Sequence, residues 1–404
     1  PMMGNHDKRD FLKKYVKNNL IDNQGYLNYT VSSEILQIIC LDTAIEDQIE
    51  GNINPASMEW LENMLKKSDD KPVIIFDPFP RNEEMVFTSD VEKELKQISH
   101  LVTHFGSRAP DDKIVQNLPE VEIIVGQTSM PKERLDKAKK LKAIINVKCN
   151  WEPNIDYIEA HKKGIYVLSA APAMAPAVAE ACIGYAISLS RRTIQNYNQF
   201  LKSEEKYGIK GNKEAYTLFN SKVGFIGFGN LAKNLLPLLK PFNCNISVYD
   251  PWLSNQYLES QGVSSVSLDE LLSMNKFIFI LAGVTSENEG FINKSKLQLI
   301  QKDSSVILVS RAEVLDFNEF IKLAEQNVFR AAVDVFPEEP VPSNASFRKE
   351  SNILYTSHVA GAMHFSYNNI REMMMDDIRQ ILKGMPPTRL QRAEPHQAML
   401  RRDR

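Results

Sequence analysis

Short apolar runs alternate with longer amphipathic stretches between residues 71 and 192. The apolar runs predict strands at Val73–Phe76, Leu101–Phe105, Glu122–Gly126, Ala143–Val147 and Ile165–Ser169. The stretches between them, such as Lys132–Lys142 and Ile155–Lys163, have helical spacing, and a long helix is predicted from about Pro176 to Gln195. Strands separated by helices of ~10–15 residues are typical of βαβ units, so this part of the chain predicts a parallel sheet.

The same alternation is clearer between residues 217 and 356. Six strands are predicted, at Lys222–Ile226, Asn245–Tyr249, Phe277–Leu281, Ser305–Val309, Ala331–Val335 and Ile353–Tyr355. Ser267 followed by Glu270 has the spacing of a capping box and predicts a helix start. Six strands with helices between them predict a doubly wound sheet, followed by a final helix at about Ser366–Lys383.

The two ends of the chain have weaker patterns. Residues 1–70 contain two strand-like runs, Leu27–Val31 and Ile35–Asp42, and a helix-like segment at Met58–Lys67. The tail 387–404 has five arginines against Glu394 and Asp403, and we expect it to be disordered.

Composition narrows the class of protein. The 404 residues are 43% apolar and 25% charged, which indicates a soluble globular chain of two or three domains. Lys and Arg total 48 against 51 for Asp and Glu, so there is no basic excess of the kind that nucleic-acid binders show. The apolar run Phe277–Val284 is too short for a membrane span, and no signal peptide is evident. We therefore expect neither nucleic acid nor a membrane as a partner.

Cysteine usage fits the same class. Cys40, Cys149, Cys182 and Cys244 are far apart and form no CxxC pair, which excludes the usual structural zinc spacings and any evident disulfide framework. Reduced thiols and a cytoplasmic location are expected.

A glycine motif carries the most specific chemistry. In the segment 223–232, Gly227 permits a tight turn, Gly229 lets backbone amides approach a pyrophosphate, and Ala232 allows close packing of helix on strand. The start of that helix would face the anion. Asp250 follows at the end of the next predicted strand, where a carboxylate can accept hydrogen bonds from ribose hydroxyls and repel a 2′-phosphate. The motif predicts a dinucleotide site that prefers NAD.

Three ionisable residues lie beyond the carboxyl ends of predicted parallel strands. Arg311 follows the strand at Ser305–Val309, Glu339 follows the strand at Ala331–Val335, and His358 follows Ile353–Tyr355. Ligands bind at this edge of open α/β sheets, so the three side chains are candidates for one site.

Together these segments resemble the NAD-dependent D-2-hydroxyacid dehydrogenases over residues 71–386. The matching segments are Gly224–Ala232, Asp250-Pro251, Leu281–Phe291, Ser310–Asp316, Asp334–Pro340 and His358–Ala362, and Pro172–Glu180 is similar to the start of the long interdomain helix of that family. They occur in the order and spacing of the family.

The resemblance implies a role for each candidate residue. Arg311 would bind the substrate carboxylate, His358 would donate a proton to the carbonyl oxygen as hydride arrives from NADH, and Glu339 would pair with His358. The implied NAD site is formed by Gly227, Gly229, Asn230, Leu231, Asp250, Ser310 and Asp334, with no metal. The implied substrate is a small 2-oxo or 2-hydroxy acid such as glyoxylate or hydroxypyruvate, and the implied assembly is a homodimer.

Two departures from the family pattern leave the substrate open. The glycine-rich loop whose amides hold the substrate carboxylate is replaced by Lys148–Pro153, with Trp151 and Glu152 adding bulk and charge. The usual Arg-Gly-Gly is replaced by Arg311-Ala312-Glu313.

The expected fold class is α/β, with two doubly wound parallel-sheet lobes. The substrate lobe is flavodoxin-like and comprises residues 71–192 and the C-terminal helix 357–386. The Rossmann cofactor lobe, residues 193–356, is inserted between those parts, and residues 387–404 form a tail. Residues 1–70 form an incomplete α/β remnant.

That remnant has a resemblance of its own. Gly4–Asp7, with Gly25–Leu27, Leu41–Thr43 and Trp60–Glu62, is similar to calcineurin-like metallophosphoesterases. In that family Asn5 would be a metal ligand and His6 would act at the phosphate. Too few further ligands are present for a two-metal site, so we expect no phosphoesterase activity. The chain passes from one resemblance to the other near Lys71–Phe76, as it would in a gene fusion, an assembly artefact or a deliberate chimera.

Two function classes remain open. The first is an enzyme that reduces 2-oxo acids with NADH or runs in reverse. The second is a regulatory protein that binds NAD(H) on the same scaffold without turnover, which the altered carboxylate loop would allow. Turnover on a panel of oxo acids discriminates between them.

Overall fold

The computed structural model describes residues 28–32, 37–41, 53, 55–67, 71–149, 151–349 and 353–400, in two compact units that divide between Lys71 and Pro72. In the first unit, strand β1 (Tyr29–Ser32) pairs antiparallel with β2 (Gln37–Cys40), and helix α1 (Pro55–Lys67) follows. The two strands and the helix predicted for this part of the chain are therefore present. The candidate residues Asn5 and His6 lie outside the described residues.

The second unit begins with a sheet built from residues 73–169. Its strands are β3 (Val73–Asp77), β4 (His100–Thr103), β5 (Val121–Gly126), β6 (Ala143–Asn146) and β7 (Tyr166–Ser169). They are parallel in the order β4-β3-β5-β6-β7, which is the flavodoxin-like order. The helices between them are α2 (Glu83–Val86), α3 (Ser89–Ile98), α4 (Asp111–Asn117), α5 (Lys132–Lys137) and α6 (Tyr157–Lys162).

A second sheet follows, with described strands β8 (Lys222–Ile226), β9 (Asn245–Tyr249), β10 (Ser264–Ser265), β11 (Phe277–Ile280), β12 (Ser305–Leu308), β13 (Arg330–Val333) and β14 (Leu354–Tyr355). All pairings between them are parallel, in the order β10-β9-β8-β11-β12-β13-β14. Its helices are α9 (Asn230–Leu239), α10 (Asn255–Ser260), α11 (Leu268–Met274), α12 (Lys294–Leu297) and α13 (Phe317–Glu325). This is the Rossmann order, with β14 added at one edge, so the expected fold class is confirmed.

The helix expected at 176–195 is two helices. Helix α7 runs over Ala171–Arg191 and α8 over Thr193–Leu201, and Arg192 between them is left-handed with φ 53°. The Arg192 N–H donates to the carbonyls of Leu189 and Ser188, which ends α7 in the manner of a left-handed C-cap. The predicted start at Pro176 is too late. Proline is common in the first turn of a helix, but here Pro172 occupies that turn and Pro176 lies inside the helix.

Helix α7 is also the described helix that is long and apolar enough to cross a membrane, a feature overlooked in favour of Phe277–Val284. Half of it is buried within the fold. Its small residues, such as Ala179, Cys182 and Ala186, share a core with Phe225 and Phe279 of the second sheet. Its apolar character therefore serves packing inside this unit.

The expectation of a disordered tail is wrong for its described part. After helix α14 (His364–Leu382), strand β15 (Gln391–Arg392) pairs antiparallel with β7, and helix α15 (Pro395–Leu400) packs on α6. Charge composition misled because the Arg392 guanidinium lies over the Tyr166 ring, 4.9 Å from its centre, while Leu390 and Ala398 are buried. The tail belongs to the first sheet.

Candidate active site

Loops at the carboxyl ends of the two sheets form the candidate site. In each sheet the chain reverses its direction of strand addition once, between β3 and β5 in the first and between β8 and β11 in the second. Crevices at such points bind ligands in open α/β sheets. A ligand can therefore bind among the loops that follow β3, β6, β8 and β12.

The glycine loop after β8 makes a close turn against the neighbouring strand. Gly227 has φ +93°, and a Cβ there would lie 2.8 Å from the Ala282 Cα, so both conformation and space require glycine. A Cβ on Gly229 would meet no atom within 4 Å. No side chain caps the start of α9, so its first amides are available to an anion.

Asp250 supports this turn from the end of β9. Its Oδ2 accepts a hydrogen bond from the Phe228 N–H at 2.8 Å, and its Oδ1 accepts one from the Trp252 N–H at 3.0 Å. The carboxylate is half-buried. It therefore orders the glycine loop from the place where the motif puts the ribose of a dinucleotide.

Asn230 and Leu231 begin helix α9 and have different surroundings. The Asn230 amide Nδ2 donates to Gln391 Oε1 of the tail strand at 2.7 Å. Leu231 is partly buried and packs against the core beneath α7. Asn230 thus joins the glycine loop to the first sheet, a contact that the sequence did not predict.

His358 and Glu339 are brought together as the resemblance implies. The His358 Nδ1 lies 2.7 Å from Glu339 Oε2, and Glu339 Oε1 accepts from the Phe336 N–H at 2.9 Å. A carboxylate can only accept, so Nδ1 donates, and no described residue forms a hydrogen bond with Nε2. Nearly half of the His358 side chain is exposed, 46%, which leaves it accessible to a substrate.

Asp334 holds the loop that carries this histidine. It is buried, and its carboxylate accepts hydrogen bonds from Thr356 Oγ1 at 2.6 Å and from the amides of Val359 and Ala360 at 3.0 and 3.1 Å. Its own carbonyl accepts from the His358 N–H at 2.7 Å. These bonds stabilise His358 at φ 55°, a conformation that costs about 1–3 kcal/mol for a residue other than glycine.

Ser310 and Arg311 follow β12. The Arg311 guanidinium is half-buried, and its Nη1 donates to the Ser310 carbonyl at 2.7 Å. The Ser310 hydroxyl is buried, and no described residue hydrogen-bonds to it. A buried hydroxyl of this kind requires a partner, which a bound ligand can provide.

The altered loop after β6 directs its bulk inward. Trp151 is buried and packs edge-on against Tyr157, with ring centres 6.2 Å apart. Glu152, with 8% of its side chain exposed, pairs with Lys148 Nζ at 2.6 Å and with Arg108 Nη2 at 3.4 Å. The two residues that depart from the family pattern therefore stabilise the loop from beneath and do not fill the cleft. Asn150 lies outside the described residues.

Arg81 and Cys149 are the residues near the site that the sequence did not single out. The Arg81 guanidinium reaches the carbonyls of Val147 and Lys148, each at 3.3 Å. Burial raises the pKa of the Cys149 thiol to about 11, although the charges of Arg81 and Arg311 act against this rise. Cys149 has φ 76°, a left-handed conformation that is uncommon for a residue other than glycine, and only the structure reveals it.

The observed residues fit a bound NAD. The open space at Gly229, the uncapped start of α9 and the unpartnered hydroxyl of Ser310 are features that a dinucleotide would satisfy. Phosphate groups would bind at the start of α9. Ser310 lies beyond the carboxyl end of β12, next to Arg311.

Comparison with known proteins identifies the family of the chain. Residues 183–360 match the family described as D-isomer specific 2-hydroxyacid dehydrogenase, NAD binding domain. A glyoxylate reductase of Pyrococcus horikoshii is 26% identical over 292 residues, 70% of this chain and 86% of that protein. A D-3-phosphoglycerate dehydrogenase of Methanocaldococcus jannaschii is 26% identical over 278 residues, 68% of this chain and 52% of that protein.

Solved structures extend the likeness to both sheets. A phosphoglycerate oxidoreductase from Rhizobium etli has a TM-score of 0.71 and 31% identity, and the match covers 80% of this chain and 98% of that one. A glyoxylate reductase from Paecilomyes thermophila, with a TM-score of 0.63 and 17% identity over 81% of this chain and 99% of that one, shares the fold. The chain therefore belongs to the D-isomer specific 2-hydroxyacid dehydrogenases and is an NAD-dependent oxidoreductase.

Proposed function

We propose that the chain reduces small 2-oxo acids to 2-hydroxy acids, with glyoxylate and hydroxypyruvate as the first substrates to test. The observation that carries the proposal is the pairing of His358 Nδ1 with Glu339 Oε2 at 2.7 Å, because it engages Nδ1 and leaves Nε2 for a substrate. The relatives named glyoxylate reductase support the choice of substrates.

Each residue then has a chemical task. When bound, NADH supplies the hydride that reduces the carbonyl carbon. His358 gives its Nε2 proton to the oxygen that becomes the hydroxyl, and Glu339 stabilises the charged imidazole that precedes this transfer. Arg311 binds the carboxylate beside the carbonyl, since a guanidinium offers two parallel donors to a carboxylate. Asp334 positions His358 through the amides of its loop.

The test follows NADH oxidation at the nicotinamide absorbance with the full chain and a panel of 2-oxo acids. We expect turnover that falls by at least about 100-fold in His358→Ala, while the Kd for NADH changes little. His364→Ala, at the exposed start of α14, is the matched control and should retain activity. Tight NADH binding with no turnover on any oxo acid would favour the regulatory alternative.

The proposed assembly is a homodimer formed through α8 and the segment that follows it. Helix α8 has no buried residue, and the segment exposes large apolar side chains: Tyr197, 60%; Phe200, 62%; Leu201, 65%; Tyr207, 76%; and Ile209, 81%. Exposed large apolar side chains concentrated in one segment indicate an interface, and a second copy of a chain is the commonest partner.

Phe200→Glu combined with Tyr207→Glu should convert a dimer to a monomer in light scattering after gel filtration. Val115→Glu, which changes an exposed apolar residue on α4, should leave the mass unchanged. A wild-type chain that elutes as a monomer would contradict the dimer.

The proposed location is the cytoplasm, with Cys149, Cys182 and Cys244 as free thiols. For residues 1–70, the resemblance to metallophosphoesterases stays a prediction, and we propose no phosphoesterase activity. Hydrolysis of a chromogenic phosphodiester with added Mn²⁺ would overturn that view.

A further inference from the structure

Arg81 lies in the loop after β3, at the point where the first sheet reverses its strand order. Its contacts with protein are long: 3.3 Å from Nε to the Val147 carbonyl, 3.3 Å from Nη2 to the Lys148 carbonyl and 3.4 Å from Nη1 to the Tyr367 hydroxyl. Its guanidinium carbon is 5.5 Å from the centre of the Tyr367 ring. N–H···O bonds are usually about 2.9–3.0 Å long, so these three contacts are weak and an anion would be a stronger acceptor for Arg81.

No carboxylate forms an ion pair with Arg81 within the described part of the chain. Two buried acids of the first sheet and its loops, Asp77 and Glu152, pair with other groups. Asp77 accepts from the Ala109 N–H and from Thr128 Oγ1, at 3.1 and 2.9 Å, and Glu152 pairs with both Lys148 and Arg108. One carboxylate therefore serves two cations, and the half-buried charge of Arg81 adds to a local positive excess.

This charge is close to the proposed reaction centre. Arg81 donates to the carbonyl of Lys148, next to Cys149, and the charges of Arg81 and Arg311 both act on the Cys149 thiol. Tyr367, its other neighbour, lies in the first turns of α14, the helix that follows His358. Arg81 thus stands beside the loop where the family holds the carboxylate of its substrate, on the side of the first sheet.

We propose that Arg81 binds a second anionic group at the end of the substrate remote from the carbonyl. The preferred substrates are then 2-oxo acids that carry a distal phosphate or carboxylate. The inference rests on the proposed function, in which Arg311 binds the carboxylate next to the carbonyl. A guanidinium suits both anions, because its paired N–H donors match either geometry.

The substrates that test this differ mainly in the distal charge. Hydroxypyruvate is compared with its 3-phosphate ester, and 2-oxobutyrate with oxaloacetate, using the full chain and NADH. We expect kcat/KM at least ten-fold higher for one of the two substrates that carry a distal anion than for its partner without one. The first pair reports a phosphate site and the second a carboxylate site. No advantage in either pair overturns the proposal.

Arg81→Met removes the charge while keeping most of the side-chain volume. It should raise KM for the favoured substrate with a distal anion by about 10- to 100-fold and change KM for its partner without one by less than about three-fold. Arg81→Lys should recover part of the loss. Equal losses with both members of a pair would mean that Arg81 only clamps the loop, which overturns the proposal.

Arg330→Met is the matched control. Arg330 also donates to backbone carbonyls, those of Leu189, Ser190 and Glu214 at 3.0, 3.2 and 2.5 Å, and lies over a tyrosine ring, but it stands at the amino end of β13, away from the carboxyl ends that form the candidate site. Arg330→Met should lower thermal stability without changing the preference for a substrate with a distal anion. Wild-type turnover of monoanions without that preference defeats the Arg81 site alone, whereas absence of turnover on the whole panel defeats the proposed function and the site with it.

Discussion

Single side chains around His358 show which roles a sequence can reveal. Arg311, Glu339 and His358 could be proposed because each follows a predicted strand within a family motif, and the structure pairs His358 with Glu339. The support that Asp334 gives to the histidine loop could not be foreseen, since its partners lie more than 20 positions away along the chain. Arg81 was missed for a similar reason: a lone arginine after Pro80 has no periodic or motif signal.

The thiol of Cys149 should make stability depend on pH. Burial raises its pKa from 9.0 to about 11, so the unfolded chain ionises first as pH rises. This contribution is complete below about pH 9 and is lost between about pH 9 and pH 11.

The measurement is urea unfolding of the wild type and of Cys149→Ala at pH 8 and pH 10. From pH 8 to pH 10, the unfolding free energy of the wild type should fall by about 1 kcal/mol relative to that of Cys149→Ala. Ser169→Ala changes a buried group that does not titrate, so its difference from wild type should stay constant over this range. A constant difference for Cys149→Ala as well would show that the thiol is solvated.

Among the elements, the turn from β8 into α9 separates two roles of glycine. Gly227→Ala would place a Cβ 2.8 Å from the Ala282 backbone at φ +93°, so we expect a loss of about 1–3 kcal/mol in unfolding free energy. Gly229→Ala enters open space, and the melting temperature should not change.

NADH binding should respond to Gly229→Ala even though the stability of the fold does not. The added methyl group at Gly229 occupies the approach of a pyrophosphate, so the Kd for NADH should rise by about ten-fold or more without any loss of stability. Fluorescence titration and thermal melting on the same two variants provide the comparison. Normal NADH affinity in a stable Gly229→Ala chain would place the phosphates elsewhere.

Element boundaries show where the hydrophobic pattern has limits. Strands of the two sheets were predicted within one or two residues in most cases, because buried β-branched runs leave little ambiguity. The two-residue strand β10 was missed, since Ser264 and Ser265 have no apolar signal. The break of the long helix at Arg192 and the order in the tail both depend on tertiary contacts, with Glu214 and with Tyr166 respectively.

For the molecule as a whole, the tail links the two sheets. Strand β15 pairs with β7, while Gln391 accepts from Asn230 and the Leu400 carbonyl accepts from the Ser286 N–H at 2.7 Å. Both of the latter contacts reach the lobe with the glycine loop. We therefore expect the tail to hold the start of α9 in place.

Gln391→Ala should weaken NADH binding by about five-fold, which corresponds to one net hydrogen bond of about 1 kcal/mol. Arg392→Ala is the matched control, because it loses the contacts with the Tyr166 ring and the Pro387 carbonyl, neither of which reaches the glycine loop, and should leave the Kd unchanged. Equal NADH affinity in wild type and Gln391→Ala, measured by fluorescence titration, would show that the tail does not restrain the glycine loop.

The late position of β15 and α14 has a consequence for synthesis on the ribosome. The first sheet closes only when β15 pairs with β7, about 220 residues after β7 has been made. Helix α14 likewise covers Ile74 and Phe76 from a distant part of the chain. At usual translation rates the nascent sheet waits roughly 10–45 s with an apolar face and a strand edge uncovered. The yield of native protein should therefore depend on elongation speed and temperature during expression, and chaperones that shield that face should raise it.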